Sequence, residues 1–205
     1  MAENKNIERF EQLLRSTNRE GIENLISFIQ KSDFYTAPAS TRFHSCHEGG
    51  LLEHSLYVYD RLKIKFEDEL WKSKANISED NIIISALLHD LTKANFYGTE
   101  IRNKKVYSET GSKSDSNGRF DWVSAPVYIV DDTQHPLGHG EGSAIMAMSF
   151  ITLKPVELYM IRFHMLFSEP KELYQTISFA LKKYPAILAI SEADLEATYL
   201  LEEEC

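Results

Sequence analysis

The sequence has few of the features that mark membrane, secreted or fibrous proteins. Its 205 residues include only two cysteines, Cys46 and Cys205, which cannot build a disulfide framework and indicate a reduced cytoplasm. Nine glycines and six prolines are too few for a collagen-like or low-complexity chain. The longest apolar run is about five residues, far short of a membrane span, and no charged-then-apolar leader opens the chain. We therefore expect a cytoplasmic protein with no membrane partner.

Positive charge is also scarce. Twenty-two Lys and Arg stand against 31 Asp and Glu, a net charge of −9, which makes the chain a poor candidate for binding duplex nucleic acid by bulk charge. The 43% hydrophobic content is enough for a buried core. Against this acidic background the chain carries seven histidines, all between residues 44 and 164.

Helical periodicity dominates the pattern. Apolar residues at three- to four-residue steps predict two short helices within 1–31 and a third from Leu51, after a long loop over 32–50. Ser78 is a predicted N-cap, followed by the strongest apolar face of the chain over 82–94. The acidic end after Lys183 is interpreted as a solvated helix end.

Residues 98–132 follow a different pattern. Short apolar and aromatic runs separated by a polar stretch over 111–118 predict a β-hairpin with a mobile tip. Helical spacing returns after Gly142, and Pro155, Pro170 and Pro185 are each placed to open a helix. The predicted fold is one mostly α domain over 1–205: N-terminal helices over 1–31, a core over 43–200 and a small β insertion around 98–132.

His89 and Asp90 are the strongest chemical signal because they end an apolar helix face. Burying an imidazole and a carboxylate there is costly unless a partner compensates, and a divalent cation does so directly. A buried His–Asp hydrogen bond is the alternative. Lys93 lies about one turn further and could reach an anion held at the metal, or it could be an ordinary solvated cation.

Two further residues fit the same hypothesis. His54 follows two leucines on the preceding helix and could face His89 across a packed interface. Asp194 lies among small residues that let helices approach closely, which would suit a ligand carboxylate. Each signal is weak alone, since isolated His and Asp residues are more often structural or exposed.

Together these residues resemble a known family. The ordered set His54, His89-Asp90 and Asp194, in the stretches GGLLEHSLYV and ALLHDLTKANFY, is similar to the H…HD…D pattern of the HD-domain metal-dependent phosphohydrolases. The resemblance extends over about 43–200 and implies an HD-type helical fold. The stretch PLGHGE over 136–141 resembles an uncharacterised bacterial subgroup, in which His139 and His164 would be the additional ligands of a second metal.

The resemblance also implies the chemistry. Asp90 would bridge two cations, with His54, His89 and Asp194 on one and His139 and His164 on the other, and a metal-bound hydroxide would be the nucleophile. Lys93 would steady a phosphate oxygen. Several relatives carry a His-His doublet where this chain has only His164. The sequence therefore does not determine whether one or two ions bind. Mn, Fe, Ni, Co and Zn all suit these ligands.

The remaining candidates concern the substrate. His44 and His47 flank Cys46, a cluster that could hold zinc but more simply lines the site, with either histidine as a proton donor or phosphate contact. Arg102 is a further candidate phosphate contact. His135 receives no role. Basic and aromatic residues at the hairpin tip would suit single-stranded nucleic acid, although a solvated ribbon is the simpler interpretation.

The predicted function is hydrolysis of a phosphate ester in a nucleotide or other small phosphorylated substrate. A 3′–5′ exoribonuclease-like activity on short single-stranded RNA or DNA is the close alternative, and oxygenation at two irons is a second enzyme class. A module that binds metal or nucleotide without turnover is the non-enzymatic alternative. The substrate, the metal and the oligomeric state are left open by the sequence.

Overall fold

The computed structural model describes residues 2–42, 44–130 and 137–202. Within these ranges the chain is mostly helical and carries one small antiparallel sheet, as predicted. The elements in chain order are α1 (Ala2–Ser16), α2 (Ile22–Lys31), α3 (Gly50–Lys65), α4 (Glu69–Ala75), α5 (Glu79–Leu88), β1 (Tyr97–Tyr107), β2 (Lys113–Asp115), β3 (Gly118–Val130), α6 (His139–Met148), α7 (Pro155–Phe163), α8 (Tyr174–Lys183) and α9 (Ala186–Glu196).

Helices α3, α5, α7 and α9 form the centre of the molecule. Helix α3 packs on α5 and α9, and α7 packs on both α5 and α9. Their apolar residues are buried in one continuous core, to which α1 and α2 add further side chains. None of the described helices is both long enough and apolar enough to cross a membrane.

Helix α5 is the most deeply buried element of the core. Ser78 caps it through a reciprocal capping box with Asn81, and every residue from Asn81 onward is buried. The helix ends at Leu88 rather than continuing over the predicted apolar face to Ala94. Asp90 leaves the helical conformation (φ −112°, ψ 23°), and a 3₁₀ turn follows over Leu91–Lys93. This change of direction folds the chain back over Asp90.

The other boundaries agree closely with the pattern. Pro155 opens α7, where a missing backbone N–H costs nothing. Helix α6 begins at His139, earlier than the predicted Gly142, and α4 was not predicted because it buries no side chain. His135, and with it the predicted turn there, lies outside the described residues.

The predicted β insertion is a three-stranded antiparallel sheet with strand order β1-β3-β2. Its register pairs Tyr97 with Val130 and Tyr107 with Phe120. Part of the predicted tip forms β2, which pairs with β3. Lys105, one of the basic residues considered for nucleic acid, lies 4.4 Å above the Phe120 ring and is ion-paired with Asp115. Lys105 and Phe120 therefore contact each other within the ribbon.

Gly50 is expected to be essential for the start of α3. A Cβ at this position would lie 2.1 Å from the backbone oxygen of Ser45, far inside van der Waals contact. We expect Gly50→Ala to lower the free energy of unfolding by about 2 kcal/mol or more, because the backbone must shift. Gly138→Ala is the matched control, since a Cβ there meets nothing within 4 Å. Equal urea denaturation midpoints for the two variants would contradict this expectation.

Candidate metal centre

Four helices bring the predicted ligands to one point. His54 lies on α3 and Asp194 on α9, while His89 and His164 are the residues that follow the last turns of α5 and α7. All three imidazoles are buried, and Asp90 is buried beside His89. The tertiary structure thus assembles residues that are far apart in the sequence.

Hydrogen bonds fix the orientation of the imidazoles. His89 Nδ1 donates to the carbonyl of Ala86, and His164 Nδ1 donates to the carbonyl of Ile161, each over 2.8 Å. A carbonyl oxygen can only accept, so both Nδ1 atoms must carry the proton. The Nε2 atom of each ring therefore faces the interior of the site and is the nitrogen left to bind a metal.

The first group of acceptors surrounds His54 Nε2. His89 Nε2 lies 3.1 Å away and Asp194 Oδ1 lies 3.3 Å away. Asp90 Oδ2 completes the group, 3.7 Å from His54 Nε2 and 3.5 Å from His89 Nε2. Two imidazole nitrogens and two carboxylates converge, which is the ligand set of a divalent transition metal.

The other oxygen of Asp90 faces a second group. Asp90 Oδ1 lies 3.8 Å from His164 Nε2 and 3.8 Å from His139 Nδ1. His139 is the first residue of α6 and is partly exposed at the cavity wall. The two oxygens of Asp90 thus point to different pairs of histidines, which is the arrangement that a bridging carboxylate requires.

Lys93 is part of this cluster. Its Nζ donates to Asp90 Oδ2 and to the carbonyl of Ala39, each over 2.7 Å, and its side chain is buried. The alternative of a solvated helix-end cation is therefore wrong. Burial lowers the pKa of Lys93, but the charge of Asp90 outweighs it and raises that pKa well above its usual range.

The pKa values of the cluster are strongly perturbed. Burial disfavours protonation of His54, but hydrogen bonds to Asp194 and Glu202 outweigh it and raise the pKa of His54 to about 9. Burial lowers the pKa of His89 to about 4. Burial would raise the pKa of Asp194, yet its bond to His54 holds that pKa at about 2. Such perturbation concentrated in one cleft is characteristic of functional sites.

The donor set fits a metal. The Nε2 atoms of His89 and His164 face carboxylate oxygens at 3.5 and 3.8 Å in a buried space. A cation between them would bind both kinds of ligand and compensate the buried carboxylate charge. Three overlapping groups of side chains could each hold an ion: His54, His89 and Asp90; His89, His164 and Asp194; and His44, His54 and Glu202.

Glu202 was missed by the sequence analysis, which placed the acidic tail in solvent. Its side chain is 0% exposed. Oε1 lies 2.6 Å from His54 Nδ1, and Oε2 lies 2.5 Å from His44 Nδ1. Burial would raise the pKa of Glu202, but bonds from these two histidines hold it well below its usual range. Glu202 sits in a run of three glutamates, and no local pattern distinguishes it.

The predicted substrate contacts are only partly brought together. His44 lines the cavity. His47 is half exposed instead: its Nδ1 is hydrogen-bonded to the Glu48 carbonyl, and its Nε2 lies 3.6 Å from the Glu53 carboxylate. Arg102 lies on β1, half exposed and ion-paired with Glu100, away from the cavity wall.

Cys46 does not supply a thiolate ligand. It is disulfide-bonded, so the expectation of reduced thiols does not hold for this residue. Cys205, the other cysteine of the chain, lies outside the described residues. The alternative of a zinc site on the His44, Cys46 and His47 cluster loses one of its ligands.

A cavity of about 600 Å³ opens onto the cluster, a size that suits a small-molecule ligand. The charged cluster forms its floor. Apolar side chains and hydroxyl groups form the rest of its wall: Met165, Leu166, Phe167, Ser168, Ser191, Leu195, Thr198 and Tyr199.

Comparison with known proteins finds a partial relative. The chain is 41% identical over 58 residues to the dihydroneopterin 2′,3′-cyclic phosphate phosphodiesterase of Methanocaldococcus jannaschii. The match covers 28% of this chain and 23% of that protein, so the chain spans about a quarter of the curated relative. No protein-family model and no solved structure matches the chain. The relative and the buried His/Asp cluster together support metal-dependent phosphoester hydrolysis in general terms.

Proposed function

We propose that the protein is a metal-dependent phosphohydrolase of the HD type, with residues 43–200 as its metal-binding core. The observation that supports this most directly is Asp90, whose two oxygens face two separate pairs of histidines. Imidazole nitrogens and carboxylate oxygens, the usual ligands of a divalent cation, converge there at the floor of an open cavity.

Each side chain has a role in this proposal. His54, His89 and Asp194 would hold one cation, His139 and His164 would hold a second, and Asp90 would contribute a carboxylate oxygen to each. One or two bound divalent cations would polarise the phosphoryl group and lower the pKa of bound water toward neutrality. Lys93 is already held beside Asp90, where its ammonium group can neutralise charge on a phosphate oxygen.

The substrate is proposed to be a small phosphate ester, with a nucleotide as one such compound. The cavity suits a small ligand, and its apolar wall beside a charged floor matches an organic group attached to a phosphate. The partial relative is named for hydrolysis of dihydroneopterin 2′,3′-cyclic phosphate, which supports the same class. Mn, Fe, Ni, Co and Zn remain the candidate metals.

The test measures metal content per chain together with hydrolysis of a substrate panel. The panel contains phosphomonoesters, 2′,3′-cyclic phosphates, nucleotides and short RNA and DNA strands. We expect at least one divalent ion per chain and turnover of a small ester. Turnover of the strands alone would favour the exoribonuclease-like alternative. Full metal content with nucleotide binding but no turnover would favour a binding module, and O₂ consumption with a visible absorption band would favour di-iron chemistry.

The second metal position makes a separate prediction. We expect His164→Ala to reduce the metal content from two ions to one, because His164 Nε2 faces Asp90 Oδ1, the oxygen assigned to the second ion. Elemental analysis of the purified variant measures this ratio. His47→Ala is the control, since that imidazole is exposed and outside the cavity wall. An unchanged ratio in His164→Ala would contradict the second position.

A further inference from the structure

The end of the chain reaches the candidate metal centre. Helix α9 widens into a π-type turn over Ala197–Leu201, where the backbone N–H of Glu202 donates to the carbonyl of Ala197. Glu202 then adopts an extended conformation (φ −94°, ψ 151°). This wider turn redirects the chain, and the Glu202 side chain enters the protein instead of following the helix into solvent.

Glu202 contacts two histidines at once. Its oxygens lie 2.6 Å from His54 Nδ1 and 2.5 Å from His44 Nδ1. These distances are those of direct hydrogen bonds, and an ion placed between the atoms would hold nitrogen and oxygen further apart, since each of its bonds spans about 2 Å. The carboxylate therefore contacts His54 on the side opposite to the acceptor cluster.

His54 differs from the other buried histidines in its Nδ1 partner. His89 and His164 each use a backbone carbonyl three residues earlier, because both follow the last turn of a helix. His54 lies inside α3, and its partner is the distant carboxylate of Glu202. An anionic acceptor fixes the Nδ1–H form and makes Nε2 a stronger ligand.

We propose that Glu202 is a positioning residue of the metal centre. Its carboxylate holds the His54 ring so that Nε2 faces Asp90 and Asp194. The same carboxylate hydrogen-bonds His44 at the cavity wall. The turn over Ala197–Leu201, which positions Glu202, is thereby part of the site. This inference rests on the proposed metal-dependent function.

The test uses Zn²⁺ as the probe and compares the 205-residue protein with its Glu202→Gln and Glu202→Ala variants. Glu192→Gln is the matched control, because Glu192 lies on α9, is half exposed and is ion-paired with Lys65. We expect Glu202→Ala to weaken Zn²⁺ binding by about 10- to 100-fold. The loss in Glu202→Gln is expected to be smaller, and Glu192→Gln to stay within about twofold of wild type.

Nitrogen-15 spectra of the histidine side chains give the second measurement. In Zn²⁺-loaded wild type, His54 should carry its proton on Nδ1, and this form should be depleted in Glu202→Ala. Circular dichroism checks that each variant folds. If Glu202→Ala does not fold, Zn²⁺ affinity and the His54 proton position are compared between wild type and Glu202→Gln.

Each other outcome is decisive. Wild-type affinity in both Glu202 variants, or weaker binding with an unchanged His54 proton position, would overturn the inference. Loss of one zinc per chain would show that Glu202 is itself a ligand and would also overturn it. If the wild-type protein binds neither Zn²⁺ nor another divalent ion, the proposed function is contradicted, and so is the inference that rests on it.

Discussion

Asp90→Asn should abolish phosphoester hydrolysis and remove bound metal. The substitution keeps the shape of the side chain but removes the charge that both histidine pairs face. A carboxylate that bridges two ions contributes to both, so we expect metal affinity to fall by more than about 100-fold, beyond the loss typical of a supporting residue. Elemental analysis and turnover of the best ester measure the two effects.

The controls separate the site from the fold. Asp60→Asn makes the same chemical change on the surface of α3 and should retain metal and activity. His89→Ala should repeat the Asp90 result without removing a carboxylate. Circular dichroism should show helical structure in all three variants. Wild-type metal content in Asp90→Asn or His89→Ala would refute the proposed ligand set.

Glu157→Ala should cause the largest loss of stability. The Glu157 carboxylate is fully buried, ion-paired with Arg19, and accepts a 2.6 Å bond from Asn81 on α5 and a 2.7 Å bond from the Lys154 backbone. Removing it leaves the largely buried Arg19 without its counter-ion. Breaking such a pair costs about 3–5 kcal/mol, and we expect a fall in Tm on the order of 10 °C.

The exposed Arg9–Asp60 pair provides the comparison. Both of its side chains are substantially exposed, so Asp60→Asn should cost at most about 1 kcal/mol. Thermal melts of the two variants measure the difference. Equal melting temperatures would show that the buried network contributes no more than a surface pair. The network also links α7 to α5, so Glu157→Ala is expected to loosen His164 against His89 as well.

Much of the helical framework follows from local pattern. Ser78 and Pro155 mark helix starts through their capping chemistry, and both helices begin where predicted. The end of α5 could not be found in this way, because the apolar residues continue beyond Leu88 and only the turn at Asp90 ends the helix. Helix α4 has no fully buried residue, so its apolar pattern is too weak to detect.

The site residues also divide into those that the sequence could identify and those that it could not. His54, His89, Asp90, His139, His164 and Asp194 were selected by residue type and order, and the structure brings them together, although their role as ligands stays a proposal. Arg102 was chosen only for its charge, which does not specify a location, and it lies on the ribbon. Lys93 was ambiguous because the sequence does not show whether a cation near a helix end is buried.

The sequence by itself determined a mostly helical chain with a β insertion and the residue types that could hold a metal. These depend on local periodicity, capping and side-chain chemistry, which neighbours in the chain control. Only the tertiary structure decided that Asp90 faces two pairs of histidines, that Lys93 is buried against it, and that Glu202 hydrogen-bonds His54. Those relations depend on how distant helices pack and on a single widened turn, and no local pattern encodes them.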